Sequence, residues 1–168
     1  VGSEMCIRDR CMLAGLLCWG CKQTDVTQVL DRAETCMAER PDSSLYLLRT
    51  LDKRHISGSL RKARYALLYS QALDKNYIDV DNDSLIRVAV DYYKGHGTSH
   101  EKALAYFYLG RVYDNAGDET RATEAFVEAE THALDTDDHY ICGLIYSYLG
   151  NLYFSQYSFD EALAMYDK

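Results

Sequence analysis

A segment that recurs at a spacing of 40 residues restricts the fold of this chain more than any other feature. Residues 106–113 read YFYLGRVY and residues 146–153 read YSYLGNLY, so Tyr, Tyr, Leu, Gly and Tyr occupy the same places in both. An alanine follows each glycine at twelve residues, and an aromatic residue follows at sixteen. Self-similarity at a period of this length is typical of repeat proteins, in which each unit packs against its neighbours.

The first half of each copy has the spacing of one helical face. Tyr106, Leu109 and Tyr113 stand at i, i+3 and i+7, which share a face. Gly110 lies on that face and lets a neighbouring backbone approach closely, at a cost in helix propensity of about 1 kcal/mol.

The second half of the copy predicts a helix that packs on the first. Ala122, Phe126 and Ala129 alternate small, large and small on one face, so the ring fills the space that the small residues leave. Residues 115–118 (NAGD) predict the turn between the helices, with Gly117 in the left-handed conformation. Such a hairpin buries its apolar face only by stacking on neighbouring hairpins.

Weaker patterns extend this organisation upstream. Apolar residues at helical spacing predict helices over residues 26–37, 45–51, 60–73 and 86–93. The single proline, Pro41, suits the first turn of the second of these helices. Thr98-x-x-Glu101 and Ser158-x-x-Glu161 are capping boxes that predict the starts of the fifth and eighth helices. We therefore expect eight helices in four hairpins.

At the residues of the repeat the chain resembles the tetratricopeptide repeat (TPR) family. The resemblance implies an all-α fold, a TPR-like α-solenoid of antiparallel hairpins whose last helix is truncated. Three departures stand out: tyrosine replaces the usual first-helix tryptophan, Leu134 replaces the closing proline, and the period is 40 rather than 34. The repeat core that it implies consists of Tyr106, Leu109, Gly110, Tyr113, Ala122, Phe126, Ala129, Tyr146, Leu149, Gly150, Tyr153, Ala162 and Tyr166.

The same resemblance implies a groove lined by the first helix of each hairpin. In the family, groove contacts come from positions that match Leu104, Phe107, Arg111, Asp114, Asn115, Leu144, Ser147, Asn151 and Ser155. Aromatic and arginine side chains in a groove suit the anchoring of a peptide. Packing against the adjacent repeat is the alternative role for these side chains.

The beginning of the chain predicts an export signal. Residues 1–10 resemble a translated sequencing-adapter scar, with a short disordered leader as the alternative. Residues 11–21 predict a signal peptide with a lipobox. The apolar run over residues 12–19 has the length of a signal-peptide core, and Gly20 before Cys21 resembles the lipobox of bacterial lipoproteins, although Cys18 stands where leucine is usual. Cys21 is thus the expected lipid anchor; a cleaved signal or a buried helix is the alternative. Residues 22–97 follow as degenerate hairpins and residues 98–168 as two TPR-like repeats, ending inside a helix.

Charge and cysteine usage exclude several classes of function. The net charge of −8 disfavours nucleic-acid binding by this segment. Four of the six cysteines precede residue 22; Cys36 and Cys142 lie in apolar helical patterns and are expected to be buried. Residues 79–84 (DVDNDS) lack the glycine and glutamate of a calcium loop, and the set His132, His139 and Cys142 fits no standard zinc spacing. No nucleophile or paired-carboxylate arrangement indicates an enzyme, and no cofactor is implied.

A local basic cluster is the other charged feature. It consists of Lys53, Arg54, Arg61, Lys62 and Arg64, and it predicts either a docking patch for an acidic partner or lipid headgroups, or a solvated helix start.

Taken whole, residues 21–168 resemble TPR lipoproteins of Bacteroides-type bacteria, most clearly at residues 62–77 (KARYALLYSQALDKNY). The resemblance implies a non-catalytic scaffold in the bacterial cell envelope, lipid-anchored on the periplasmic or outer-membrane face, that holds a protein or peptide in its concave groove. The alternative is the sensor half of a membrane-bound transcriptional or signalling regulator, whose output segment would follow residue 168.

Overall fold

A computed structural model describes residues 25–168, and this part of the chain is all-helical, as predicted. No strand occurs between residues 25 and 168, and one short 3₁₀ turn, Lys53–His55, precedes the third helix. The helices are α1 (Val26–Cys36), α2 (Pro41–Thr50), α3 (Ser59–Lys75), α4 (Ser84–His96), α5 (Ser99–Asn115), α6 (Glu119–Ala133), α7 (His139–Ser155) and α8 (Phe159–Tyr166).

Local capping residues set several of these bounds. Thr98 forms the predicted capping box of α5: its hydroxyl accepts from the Glu101 amide at 3.2 Å, and the Glu101 carboxylate accepts from the Thr98 amide at 2.9 Å. Pro41 occupies the first turn of α2, as predicted. The capping box predicted at Ser158 is wrong, since Ser158 precedes α8 but its side chain makes no capping hydrogen bond.

The backbone contains three copies of one helix at the 40-residue period. Helices α3, α5 and α7 are each 17 residues long, and their first residues are 59, 99 and 139. Each ends before a residue with positive φ: Tyr77 at 57°, Gly117 at 72° and Tyr157 at 62°. The amide of the next residue then donates to a carbonyl five residues back, at 2.9–3.0 Å, which is the Schellman ending of a helix. The left-handed conformation predicted for Gly117 is thus confirmed, and a third copy begins at Ser59.

Two glycine–aromatic contacts join the helices of a pair. A Cβ added to Gly110 of α5 would lie 2.7 Å from the ring of Phe126 on α6, closer than real side chains pack. A Cβ on Gly150 of α7 would be closer still to the ring of Tyr166 on α8. The glycines are therefore needed for the distance between the two helices in both pairs.

Most of the predicted repeat core is buried. Tyr106, Tyr146 and Tyr153 are only partly buried, and Tyr166 is 50% exposed. Cys36 and Cys142 are also only partly buried, so the burial expected for both is met only in part.

The pattern of helix packing is regular. Each helix packs against the next one in the chain, and the odd-numbered helices also pack in a row, α1 on α3, α3 on α5 and α5 on α7. Among the described helices, no two even-numbered ones pack extensively on each other. Two buried apolar clusters result, one around α1–α3 and a larger one from α3 to α7, and α3 contributes to both.

No helix within residues 25–168 is both long enough and apolar enough to cross a bilayer.

The glycine contacts predict opposite effects for two alanine substitutions. Gly110→Ala forces a methyl group into the fully buried ring of Phe126, so we expect the free energy of unfolding to fall by about 1–3 kcal/mol. Gly143→Ala, on the open side of α7, is the matched control and should gain up to about 1 kcal/mol, because alanine favours the helix. Urea unfolding followed by circular dichroism measures both values.

A gain in stability for Gly110→Ala as large as that for Gly143→Ala would contradict the close contact. Phe126→Leu in the Gly110→Ala background gives a second reading, since the smaller side chain should recover part of the loss.

Candidate functional site

A cavity of about 270 Å³ draws on all four odd-numbered helices. Arg64 of α3, Leu104 of α5 and Leu144 of α7 line it, and these three residues are spaced 40 apart in the sequence. Glu34 contributes from α1. The cavity follows from the row of odd-numbered helices, because equivalent positions of successive copies face the same space.

The floor of the cavity is apolar. Leu67 and Leu68 of α3, Tyr108 of α5 and Ile141 of α7 line it and are buried. The hydroxyl of Tyr108 is uncharged at neutral pH, and burial raises its pKa further above the usual value. The floor therefore offers apolar surface without an ionised group.

One rim of the cavity is an ion-pair cluster. The guanidinium of Arg64 lies 2.9 Å from the Asp31 carboxylate and also contacts that of Glu34, which ties α3 to α1. Partial burial lowers the pKa of Arg64, but its hydrogen bonds to Glu34 and Asp31 outweigh this and hold the pKa above its usual value. Its charge is permanent and already shared by two carboxylates.

A second cation of the cavity lining is less committed. The Nζ atom of Lys75 lies 5.5 Å from the ring centre of Tyr140, and no carboxylate of the described chain pairs with it. Another lining residue, His100, has its Nδ1 atom 3.4 Å from Asp138, whose carboxylate also accepts from the amides at the start of α7 at 3.0 and 3.1 Å. The charge of Lys75 is therefore available to a ligand.

The structure brings only two of the predicted groove residues into this cavity, Leu104 and Leu144. Phe107 is 1% exposed and packs against the rings of Phe126 and Tyr148, at 5.6 Å from each, so it belongs to the core and offers no surface to a ligand. Ser147, Asn151 and Ser155 are exposed on α7 outside the cavity.

Arg111, another predicted groove residue, joins three odd-numbered helices. It donates to Asp74 of α3 and Asp114 of α5, both at 2.8 Å, and its guanidinium lies 4.3 Å from the ring centre of Tyr148 on α7. Its side chain is only 16% exposed. Asn115 has a similar role, since its amide donates to the Val80 carbonyl at 3.3 Å. In this structure both side chains connect repeats.

Sequence reasoning missed most of the cavity lining, although the period contained it. Moving the groove positions Leu104, Phe107, Arg111 and Asn115 back by 40 residues gives Arg64, Leu67, Gln71 and Lys75, and all four line the cavity. The upstream copy was not recognised because Ser70 and not glycine stands 40 residues before Gly110.

The chain matches no protein-family model, and neither a curated protein nor a solved structure is significantly similar to it. Within residues 25–168, no three histidine, cysteine or acidic side chains are grouped to hold a metal ion. The function of the site is therefore inferred from its shape, its apolar floor and its charges.

The position of Arg111 predicts a loss of stability on its removal. Arg111→Ala leaves Asp74 and Asp114 without their partner and takes away the contact with Tyr148. We therefore expect the free energy of unfolding to fall by about 2 kcal/mol or more. The control is Arg54→Ala, whose pair with Asp52 lies at the surface, so this substitution should lower the free energy of unfolding far less. Urea unfolding distinguishes the two, and equal losses would show that Arg111 does not join the repeats.

Proposed function

We propose that residues 25–168 form a TPR-like α-solenoid that acts as a non-catalytic scaffold and holds a segment of another protein along its odd-numbered helices. One observation carries the proposal: the four odd-numbered helices share a single cavity with an apolar floor and charged rims. A surface assembled from successive repeats is what a solenoid offers to an extended ligand.

The repeated geometry supports the solenoid. Helices α3, α5 and α7 have equal length, equal spacing and the same left-handed ending. The odd-numbered helices pack on one another while the even-numbered helices do not pack extensively, so the odd row is the tighter one. A stack with one tight row and one open row curves toward the tight row, which makes the odd row the concave side.

The dimensions suit a short extended peptide. Helices pack at about 8–10 Å between axes, so the row from α1 to α7 measures roughly 25–30 Å. An extended chain covers about 3.3–3.6 Å per residue, which makes the ligand roughly eight residues long. Apolar side chains of that segment would lie on Leu104 and Leu144, and an acidic one would reach Lys75.

Photo-crosslinking from inside the cavity tests this function. Tyr140 lines the cavity and is 66% exposed, so p-benzoylphenylalanine at position 140 should give one discrete adduct in cells. The same substitution at Tyr46, which is 69% exposed on α2, is the control for exposure and should give none.

Two substitutions that place charges in the cavity test whether the adduct is specific. Adding Leu104→Asp and Leu144→Asp to the Tyr140 variant should abolish the adduct while circular dichroism shows the helices intact. Equal adducts from positions 140 and 46, or an adduct that survives both aspartates, would refute the groove.

We also propose that the scaffold is held in the bacterial envelope by a lipid on Cys21, a residue outside the described part of the chain. The support is the resemblance of residues 11–21 to a lipobox. Two or more acyl chains give stable attachment, since each buried methylene contributes about 0.8 kcal/mol.

Metabolic labelling with a palmitate analogue tests the anchor. We expect the unaltered chain to take up label in the membrane fraction and Cys21→Ser to lose it, while Cys36→Ser, in the helical domain, keeps it. An unlabelled parent protein, or label that persists in Cys21→Ser, would count against this anchor.

A further inference from the structure

A second cavity, of about 220 Å³, lies between the 3₁₀ turn, α3 and α4, and shares no residue with the first. Its floor is formed by Ile56, Tyr65 and Ala66, all buried, and its wall by Val88 of α4, which is 42% exposed. Lys53 and Lys62 stand at its rim. We call this cavity the lysine pocket.

The packing of the helices explains why the pocket is open. Helices α2 and α4 both pack on α3 but not extensively on each other, so a strip of α3 between them remains uncovered. The equivalent gap between α4 and α6 lies over α5 and is lined by Arg87, Arg121, Glu124 and Glu128. That gap is balanced in charge, whereas the lysine pocket has cations and no carboxylate.

The other cations of the basic cluster already have partners. Arg54 pairs with Asp52 at 2.7 Å, and Arg64 pairs with Asp31 and Glu34 on the far side of α3. Arg61 donates toward the Thr27 hydroxyl at 3.3 Å and the Ser57 carbonyl at 3.4 Å. These side chains are therefore turned to contacts within the fold.

Lys53 and Lys62 differ from them. Both are exposed, and neither has a carboxylate within ion-pair distance among residues 25–168. The Nζ atom of Lys53 lies 6.0 and 5.9 Å from the ring centres of Tyr65 and Tyr69, which holds it above the apolar floor. Lys53 and Lys62 therefore supply two positive charges at the rim of the pocket that are free to pair with a partner's carboxylates.

The volume limits what enters the pocket. Pockets for small molecules usually measure about 300–1,000 Å³, so 220 Å³ suits one large apolar side chain better than a cofactor. We propose that the lysine pocket docks an acidic polypeptide segment, which inserts one large apolar side chain over Tyr65 and Ala66 and places its carboxylates beside Lys53 and Lys62.

The two parts of the pocket have separate tasks. The apolar floor supplies most of the affinity, because burial of a large side chain releases water from both surfaces. The exposed lysines select a negatively charged partner and speed its association, and salt weakens both effects. This site lies outside the row of odd-numbered helices and stands independently of the proposed groove.

A fluorescent peptide tests the proposal by polarisation with the full chain. The probe has one phenylalanine flanked on both sides by glutamates and aspartates. We expect it to bind, and we expect the combined Lys53→Glu and Lys62→Glu variant to weaken binding about tenfold or more. Lys94→Glu, which reverses an exposed lysine on α4 outside the pocket, is the matched control and should change binding less than about twofold.

Two further probes separate this partner from the alternatives. A peptide with serine in place of phenylalanine should lose binding, and a peptide with lysines in place of the acids should not bind.

NMR locates the bound peptide. When the acidic peptide binds, amide chemical shifts should move at Ile56, Ala66 and Val88 and not at Leu104 or Leu144. Circular dichroism confirms that each variant is folded.

Equal weakening by Lys94→Glu, or binding of the serine peptide as tight as that of the phenylalanine peptide, would overturn the proposal. So would anionic phosphatidylglycerol vesicles that bind through Lys53 and Lys62 while the acidic peptide does not.

Discussion

The close contact between a glycine on one helix and an aromatic ring on the next is the interaction on which this structure depends. Gly110 and Gly150 leave space that the rings of Phe126 and Tyr166 occupy, and in both cases a single methyl group would collide with the ring. Glycine inside a helix costs about 1 kcal/mol. Burying a ring contributes about 1.5–3 kcal/mol. At Phe126, which is fully buried, this gain exceeds the cost of the glycine and favours the close pair of helices.

The fixed distance between the two helices of a pair also affects how the odd-numbered helices are arranged. The odd-numbered helices pack on one another, and Arg111 connects three of them through Asp74, Asp114 and Tyr148. Equivalent positions on these helices therefore converge on one cavity. The even-numbered helices do not pack extensively on one another, and the lysine pocket opens between the 3₁₀ turn, α3 and α4. Both surfaces that we assign to partners arise from the same difference between the two rows.

The sequence predicted the helices well because their determinants are local. Helical spacing, the Thr98 capping box and the left-handed Gly117 each involve residues close together in the chain. The third copy was missed because Ser70 takes the place of the glycine, and Ile86, fully buried, stands 40 residues before Phe126. Serine is larger than glycine and isoleucine is smaller than phenylalanine, so the two changes hide the motif while the packed volume between the helices stays similar.

The site was harder to predict because it depends on distant partners. Nothing near Arg111 in the sequence indicates that it pairs with Asp74, 37 residues away. In the same way, Phe107 has the spacing of a groove residue, but Tyr148 of the following repeat covers it. Periodicity identifies the face of a helix, while the neighbour that covers this face depends on how the helices stack.

The glycine–ring contacts are tested most directly by proton NMR. A proton held against the face of an aromatic ring is shifted upfield by the ring current and gives nuclear Overhauser effects to the ring protons. The account predicts upfield Hα resonances for Gly110 and Gly150, with cross-peaks from Gly110 to Phe126 and from Gly150 to Tyr166, and an ordinary Hα shift for Gly143. Ordinary Hα shifts at Gly110 and Gly150, without cross-peaks to either ring, would contradict it.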